Sequence, residues 1–351
     1  PAAIDAANRR IGGIVGRPRQ PRTLPAQCAP FSRAVPIGNG QSVGTGLFAS
    51  DAVTARQLLT SPDADEILLE TAAGLAEELS LGRRGSIDLL AIGLAAADYI
   101  GHTYGPGGAE MCIELAAVDA ALGRFFEALD ARGVNYVAML TSDHGGLDMP
   151  ERQVAQGAGD AERLDGAAVS GLDAEIAEAM GLSGPILHNS GGMYYVDRSV
   201  PEDRRTEAID RATALLRANR QVYAVYTRDQ IMEQPLVEAP PENWTLLDRL
   251  RASFHPDRSG DFIIVLQPRV TPIPDPTGGY VATHGSPWDY DREVPILFWW
   301  PGADHMEQPL GVMTVDIMPT LASLIGFDIS GVEIDGRCLD VMAAIDASNC
   351  P

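Results

Sequence analysis

Apolar residues at Ile67, Leu68, Leu75 and Leu79 recur at helical spacing, which predicts a helix from Asp63 to Ser80. The run Ile87-Asp88-Leu89-Leu90-Ala91-Ile92-Gly93-Leu94 follows. It is apolar at nearly every position, the pattern of a strand buried on both faces inside a parallel sheet. Leu115, Val118, Leu122, Phe126 and Leu129 then set a long helix over 109–132, closed by Arg132-Gly133. Glycine readily takes the left-handed conformation that ends a helix. A second apolar strand over 135–142 completes a strand–helix–strand unit, whose crossover is right-handed in nearly all proteins.

Residues 145–190 are acidic, rich in Gly and Ala, and weakly patterned, with one helix near Asp173–Met180. The next block alternates: strand 192–197, helix 201–219, strand 221–227, helix near 242–251, strand 261–267. Three strands and two helices read as an α+β subdomain inserted over about 150–280. A return segment, 280–288, precedes the apolar strand Val294-Pro295-Ile296-Leu297-Phe298-Trp299. Helix 315–325 and a closing segment, 336–339, follow. Residues 1–84 read as an irregular N-terminal segment with one helix, and 85–351 as the main domain. The expected fold is α/β: a three-layer sandwich whose largely parallel central sheet carries helices on both faces.

Composition narrows the function classes. At 351 residues and 45% hydrophobic, the chain can bury a large core. Its formal net charge of -22 argues against nucleic-acid binding through phosphate contacts. All 26 basic residues are arginine. No stretch reaches the roughly 18 apolar residues of a membrane span, and no signal peptide is visible. The chain begins at Pro1, as expected of a mature form or a piece of a longer protein. Cys28, Cys112, Cys338 and Cys350 contain no CxxC pair, which speaks against a zinc ribbon. Cys338 and Cys350 are spaced to close a short disulfide loop, and free buried thiols are the equal alternative.

Three clusters carry chemistry. Asp98-Tyr99-Ile100-Gly101-His102 follows strand 87–94, Ser142-Asp143-His144-Gly145-Gly146 ends strand 135–142, and Thr283-His284-Gly285-Ser286-Pro287 lies at a strand-to-loop junction. In open α/β sheets, ligands bind outside the carboxyl ends of the strands. Carboxylates and imidazoles gathered there need partners or a metal. The expected ligands are Asp98, His102, Asp143, His144 and His284. His188, His255 and His305 lie in loop-like contexts and read as surface or structural residues.

The runs Asp98-x-x-Gly-His102-x-x-Gly-Pro, Ser-Asp143-His144-Gly and Thr-His284-Gly-Ser-Pro occur in this order. They resemble the alkaline phosphatase superfamily, closest to its type I phosphodiesterase/nucleotide pyrophosphatase-like branch, which includes bacterial alkaline phosphatases with a threonine nucleophile. The resemblance covers roughly residues 85–351. It implies an alkaline-phosphatase-like fold, hydrolysis of a small-molecule phosphate ester, two Zn2+ ions, and a periplasmic or secreted location. One ion would be held by Asp98, His102 and His284, leaving an open position, as a catalytic zinc requires. The other would be held by Asp143 and His144 with a further Asp and a Ser or Thr nucleophile from earlier in the chain.

The chain departs from that pattern upstream of Asp98. Asp51 and Asp63 match the missing ligand, and Thr45, Thr54, Thr60 and Ser61 the missing nucleophile, by residue type alone. The catalytic nucleophile is therefore not found. The Lys-x-Arg phosphate clamp of the monoesterase branch needs a lysine that is absent. The expectation is the C-terminal part of a longer phosphomonoesterase that works through a phospho-enzyme. A phosphodiesterase, a sulfatase-like hydrolase, an isomerase like the cofactor-independent phosphoglycerate mutases and a non-catalytic metal-binding fragment are the alternatives.

Overall fold

Local patterning translates into elements closely in the second half of the chain and less well in the first. The computed structural model describes residues 1–166, 171–342 and 350. Its helices are α1 (Ala2–Ile14), α2 (Ala55–Leu59), α3 (Asp63–Glu78), α4 (Ala96–Tyr104), α5 (Ala109–Asp130), α6 (Pro150–Ala155), α7 (Leu172–Met180), α8 (Arg205–Ala218), α9 (Arg228–Glu233), α10 (Leu246–Ser253), α11 (Asp289–Arg292) and α12 (Ile317–Leu324). Its strands are β1 (Val35–Gly38), β2 (Gln41–Val43), β3 (Ala138–Thr141), β4 (Glu162–Arg163), β5 (Leu187–Ser190), β6 (Met193–Val196), β7 (Val222–Thr227), β8 (Phe262–Leu266), β9 (Val270–Thr271) and β10 (Ile296–Trp299).

The main core lies between α3 and α5, where Leu69, Ala72 and Ala76 pack on Ala121, Phe125 and Leu129. Ile92, Leu94 and Tyr136 close against it. A leucine or phenylalanine such as Leu69 or Phe125, fully removed from water, contributes about 1.5–3 kcal/mol, and each alanine less. The N-terminal segment is more ordered than its sequence implies. Ala7, Ile11 and Ile14 of α1 pack on Val53, Leu58 and Ile67, and β1 and β2 form a hairpin. The helical spacing of Ala7, Ile11 and Ile14 is a short signal, overshadowed by the Arg- and Pro-rich run at 16–22 that follows it. α1 and α3 approach so closely that a Cβ on Gly74 would stand 2.8 Å from Ala3 Cβ.

Residues 187–266 contain one antiparallel sheet of order β5-β6-β8-β7. Helices α7 and α8 cover it with Leu172, Ile176, Ala208, Ala212 and Leu216. The sheet has four strands where three are expected. Leu187-His188-Asn189-Ser190 is too polar to signal β5, and its pairing with β6 creates it.

The α/β architecture is as expected, and its ladders can be read pair by pair among the described residues. β3 pairs antiparallel with β10, with Thr141 opposite Ile296 and Ala138 opposite Trp299. The sole parallel pair among the described residues is β4 with β9. Residues 87–94 run extended but join no ladder, so no parallel strand–helix–strand unit links them to β3. Leu89 is 88% exposed, because only the far end of this run, Ile92 and Leu94, reaches the α3–α5 core.

The cysteines pair as Cys28–Cys112 and Cys338–Cys350, which removes the free-thiol alternative. The first bond ties the segment after α1 to α5 across 84 residues.

Candidate metal centre

α4 supplies the first two candidate ligands. Asp98 and His102 are four residues apart and so share one helix face, with His102 Nε2 3.5 Å from Asp98 Oδ1. Asp98 sits in the first turn, where the helix dipole favours a negative charge. Gly105 ends the helix with φ 80°, a conformation that favours glycine, in a place where a Cβ would meet Asp148 Oδ1 at 2.4 Å.

The backbone of α4 also holds the third cluster. The carbonyl of His102 accepts the amides of Val281 at 2.7 Å and Ala282 at 3.3 Å. Nδ1 of His102 in turn lies 2.8 Å from the Ala282 carbonyl. A carbonyl only accepts, so Nδ1 carries the proton and Nε2 presents its lone pair. This lacing brings His284 Nε2 to 3.1 Å from His102 Nε2 and 3.2 Å from Asp98 Oδ1.

His144 arrives from the end of β3. Its Nδ1 lies 2.9 Å from the Gly145 carbonyl, which again leaves Nε2 as the free lone pair. That atom is 3.8 Å from Asp98 Oδ1 and 3.6 Å from Asp143 Oδ1. The His144 and His284 rings stack with centroids 3.4 Å apart. Gly145 and Gly146 donate to the carbonyls of Asp291 and Tyr290 on α11. Buried Asp291 accepts the Ser286 amide at 2.8 Å and its hydroxyl at 2.6 Å. One short helix thus fixes both histidine loops. Nothing in the local pattern of Asp289-Tyr290-Asp291-Arg292 announces that role.

The ligand atoms of Asp98, His144 and His284 all lie within 4.8 Å of one another. His102 stands beside two of them, and Asp143 is at the rim with its side chain 86% exposed. Asp98, His102, His144 and His284 therefore meet in one place, and Asp143 joins them at His144. Burial, followed by the neighbouring His144, lowers the pKa of His284 despite the pull of Asp98. Imidazole nitrogens and one carboxylate converging in this way suit a divalent cation.

Four of the side chains put forward for the missing parts, Thr54, Thr60, Ser61 and Asp63, are engaged elsewhere. Thr54 caps α2 through the Gln57 amide. Ser61 donates to the Leu58 carbonyl at 2.8 Å, and Thr60 is buried against Tyr104. Asp63 is paired with Arg19 and Arg22. Of the other histidines, His188 pairs with Asp197, His255 Nδ1 accepts the Asp257 amide, and His305 is exposed near Glu307.

Comparison with known proteins identifies the family and the fold. A family model described as type I phosphodiesterase / nucleotide pyrophosphatase matches residues 21–287. Alkaline phosphatase PhoK of Sphingomonas sp is 44% identical over 350 residues, covering 98% of this chain and 62% of the relative. Alkaline phosphatase PhoD of Zymomonas mobilis is 41% identical over 356 residues, covering 100% and 61%. The crystal structure of wild-type alkaline phosphatase PafA superposes with a TM-score of 0.79 at 22% identity, covering 97% of this chain and 66% of that one. The fold is thus alkaline-phosphatase-like. The chain spans about three fifths of the length of the curated relatives it matches.

Proposed function

The chain belongs to the type I phosphodiesterase / nucleotide pyrophosphatase family, and from that premise we propose that it forms the metal-binding part of an alkaline phosphatase acting on small-molecule phosphomonoesters. One observation carries the reading: Asp98, His102, His144 and His284 turn their ligand atoms toward one point from three separate stretches of chain. Two near-full-chain relatives named alkaline phosphatases support the substrate class.

In this reading Asp98, His102 and His284 hold one Zn2+, and His144 with Asp143 begins a second site. Bound zinc would supply positive charge for the phosphoryl oxygens and lower the pKa of an oxygen nucleophile. The chain's own residues do the positioning. His102 Nδ1, tied to Ala282, fixes which nitrogen faces the site, and His144 does the same through Gly145. Asp291 locks the two loops together. Among the described residues no second carboxylate joins the Asp98, His144 and His284 group, and we place the hydroxyl nucleophile and the further carboxylate in the part of the relatives that this chain does not span. Residues 85–351 would then be the metallohydrolase domain, with an inserted subdomain over about 150–280. Two disulfides fit an oxidising compartment and so support export.

The family description favours a phosphodiesterase as the second reading. The test is zinc content together with hydrolysis of p-nitrophenyl phosphate and of bis-p-nitrophenyl phosphate, by the protein alone and joined to the part of PhoK that it does not match. Zinc bound by the chain and monoester turnover by the joined protein are expected. Preferential diester turnover would move the assignment to the second reading, and a chain that binds no zinc would overturn both.

A further inference from the structure

α4 begins without a cap of its own. Its N-cap residue is Ala95, whose side chain reaches no backbone amide. The first amides of the helix that carries Asp98 and His102 therefore need an outside partner. Asp65, in the first turn of α3, provides one. Its two carboxylate oxygens lie 3.2 and 3.3 Å from the Ala96 nitrogen, and the residue is only 2% exposed.

Behind Asp65 stands Glu114 on α5, fully buried. Neither of its carboxyl oxygens meets a hydrogen-bond donor among the described residues. Asp65 and Glu114 lie on the packed faces of α3 and α5, one turn before Leu69 and two turns before Ala121, and their side chains interact. Two ionised carboxylates in that position repel each other, and neither can donate. A single proton between them removes the repulsion and supplies the missing donor.

We propose that Glu114 is held as a carboxylic acid that donates to Asp65, and that this pair positions α4, and through it Asp98 and His102, for metal binding. Only the last step rests on the zinc reading. Both are positioning residues, since neither is among the candidate ligands. Burial first, and the Asp65 carboxylate second, push Glu114 up to about 8. Burial also raises Asp65, against the Ala96 amide, which favours its charged form. Glu66 on α3 adds to the lift on Glu114, and Arg22 opposes it. The two acids titrate as a unit. As pH rises through about 8, the shared proton leaves and two buried charges press on the α4 N-terminus.

Infrared difference spectra and Zn2+ titration test the proposal. At neutral pH the wild type should show the carbonyl band of a buried protonated acid. Glu114→Gln should lack that band, and in the wild type the band should fade at alkaline pH. A wild type without the band at neutral pH overturns the pair. Asp65→Ala should bind Zn2+ roughly 10–100-fold more weakly, the usual cost of losing a group that orients a ligand. Glu114→Gln keeps an N–H donor toward Asp65 and should keep neutral-pH affinity while losing its alkaline decline. Unchanged Zn2+ affinity in Asp65→Ala overturns the positioning role. If that variant does not fold, Asp65→Asn takes its place with the same criterion. A wild type that shows the band but binds no Zn2+ fails on the metal reading, and with it on the link to the ligands. Zn2+ binding without the band fails on the pair alone.

Discussion

Nε2 of His102 lies 3.1 Å from Nε2 of His284, across 182 residues of chain. Both atoms face Asp98 Oδ1, and the proton of His102 is committed to Ala282 on the far side of its ring. Two ring nitrogens meeting beside a carboxylate leave a natural place for a cation. The contact exists because the last turn of α4 grips residues 281–282 through its backbone.

Replacing His284 with Ala is expected to remove one metal equivalent. Elemental analysis of the purified variant measures this directly. Zinc content equal to the wild type would show that His284 is not a ligand.

Asp143→Asn should lower occupancy of a second metal equivalent with little effect on folding. Its side chain is largely exposed, and surface changes of this kind usually stay within about 0.5 kcal/mol. Calorimetric Zn2+ titration and a thermal melt on the same sample separate the two effects. A lowered melting temperature with normal occupancy would make Asp143 structural.

Gly145 and Gly123 should respond to Ala in opposite directions. A Cβ on Gly145 would stand 2.2 Å from the Tyr290 carbonyl oxygen, so the loop must shift at a cost of about 1–3 kcal/mol. Gly123 lies inside α5 with nothing within 4 Å of an added Cβ. Ala there should stabilise the helix by up to about 1 kcal/mol. Denaturant unfolding of the two variants checks the contrast.

Glu114 predicts a pH-dependent stability. Its ordinary value is 4.5 and its folded value is about 8. The folded protein therefore keeps a proton that the unfolded chain releases between those values. The stability this provides is complete below about 4.5 and is lost as pH rises through about 8. Glu114→Gln removes the proton from both states. The difference in melting temperature between the variant and the wild type should shift in the variant's favour as the medium becomes alkaline. A constant difference across that window would mean that Glu114 ionises as it does in the unfolded chain.

The Cys28–Cys112 bond closes the longer of the two loops. Replacing both residues with Ala should cost roughly 2–5 kcal/mol, chiefly by freeing the unfolded chain. Chemical unfolding of the double variant gives the figure, and a change below 1 kcal/mol, on the order of a surface substitution, would count against it.

Periodicity along the chain determined α3, α5, α8, β7 and β8 to within a few residues, because apolar spacing is written locally and packing agreed with it. It also marked Asp98, His102, Asp143, His144 and His284, since each sits in a short run beside glycine where an apolar stretch ends. The same signal misled at 87–94, where an apolar run gives the look of a buried strand but cannot say whether a neighbour pairs with it. Tertiary structure alone decided that β3 faces β10, that Cys28 meets Cys112, and that Asp65 caps a helix beginning 31 residues later. It alone drew His102, His144 and His284 to one carboxylate. Those relationships join residues far apart in sequence, and their energies come from burial and directional hydrogen bonds that form only when the whole chain has packed.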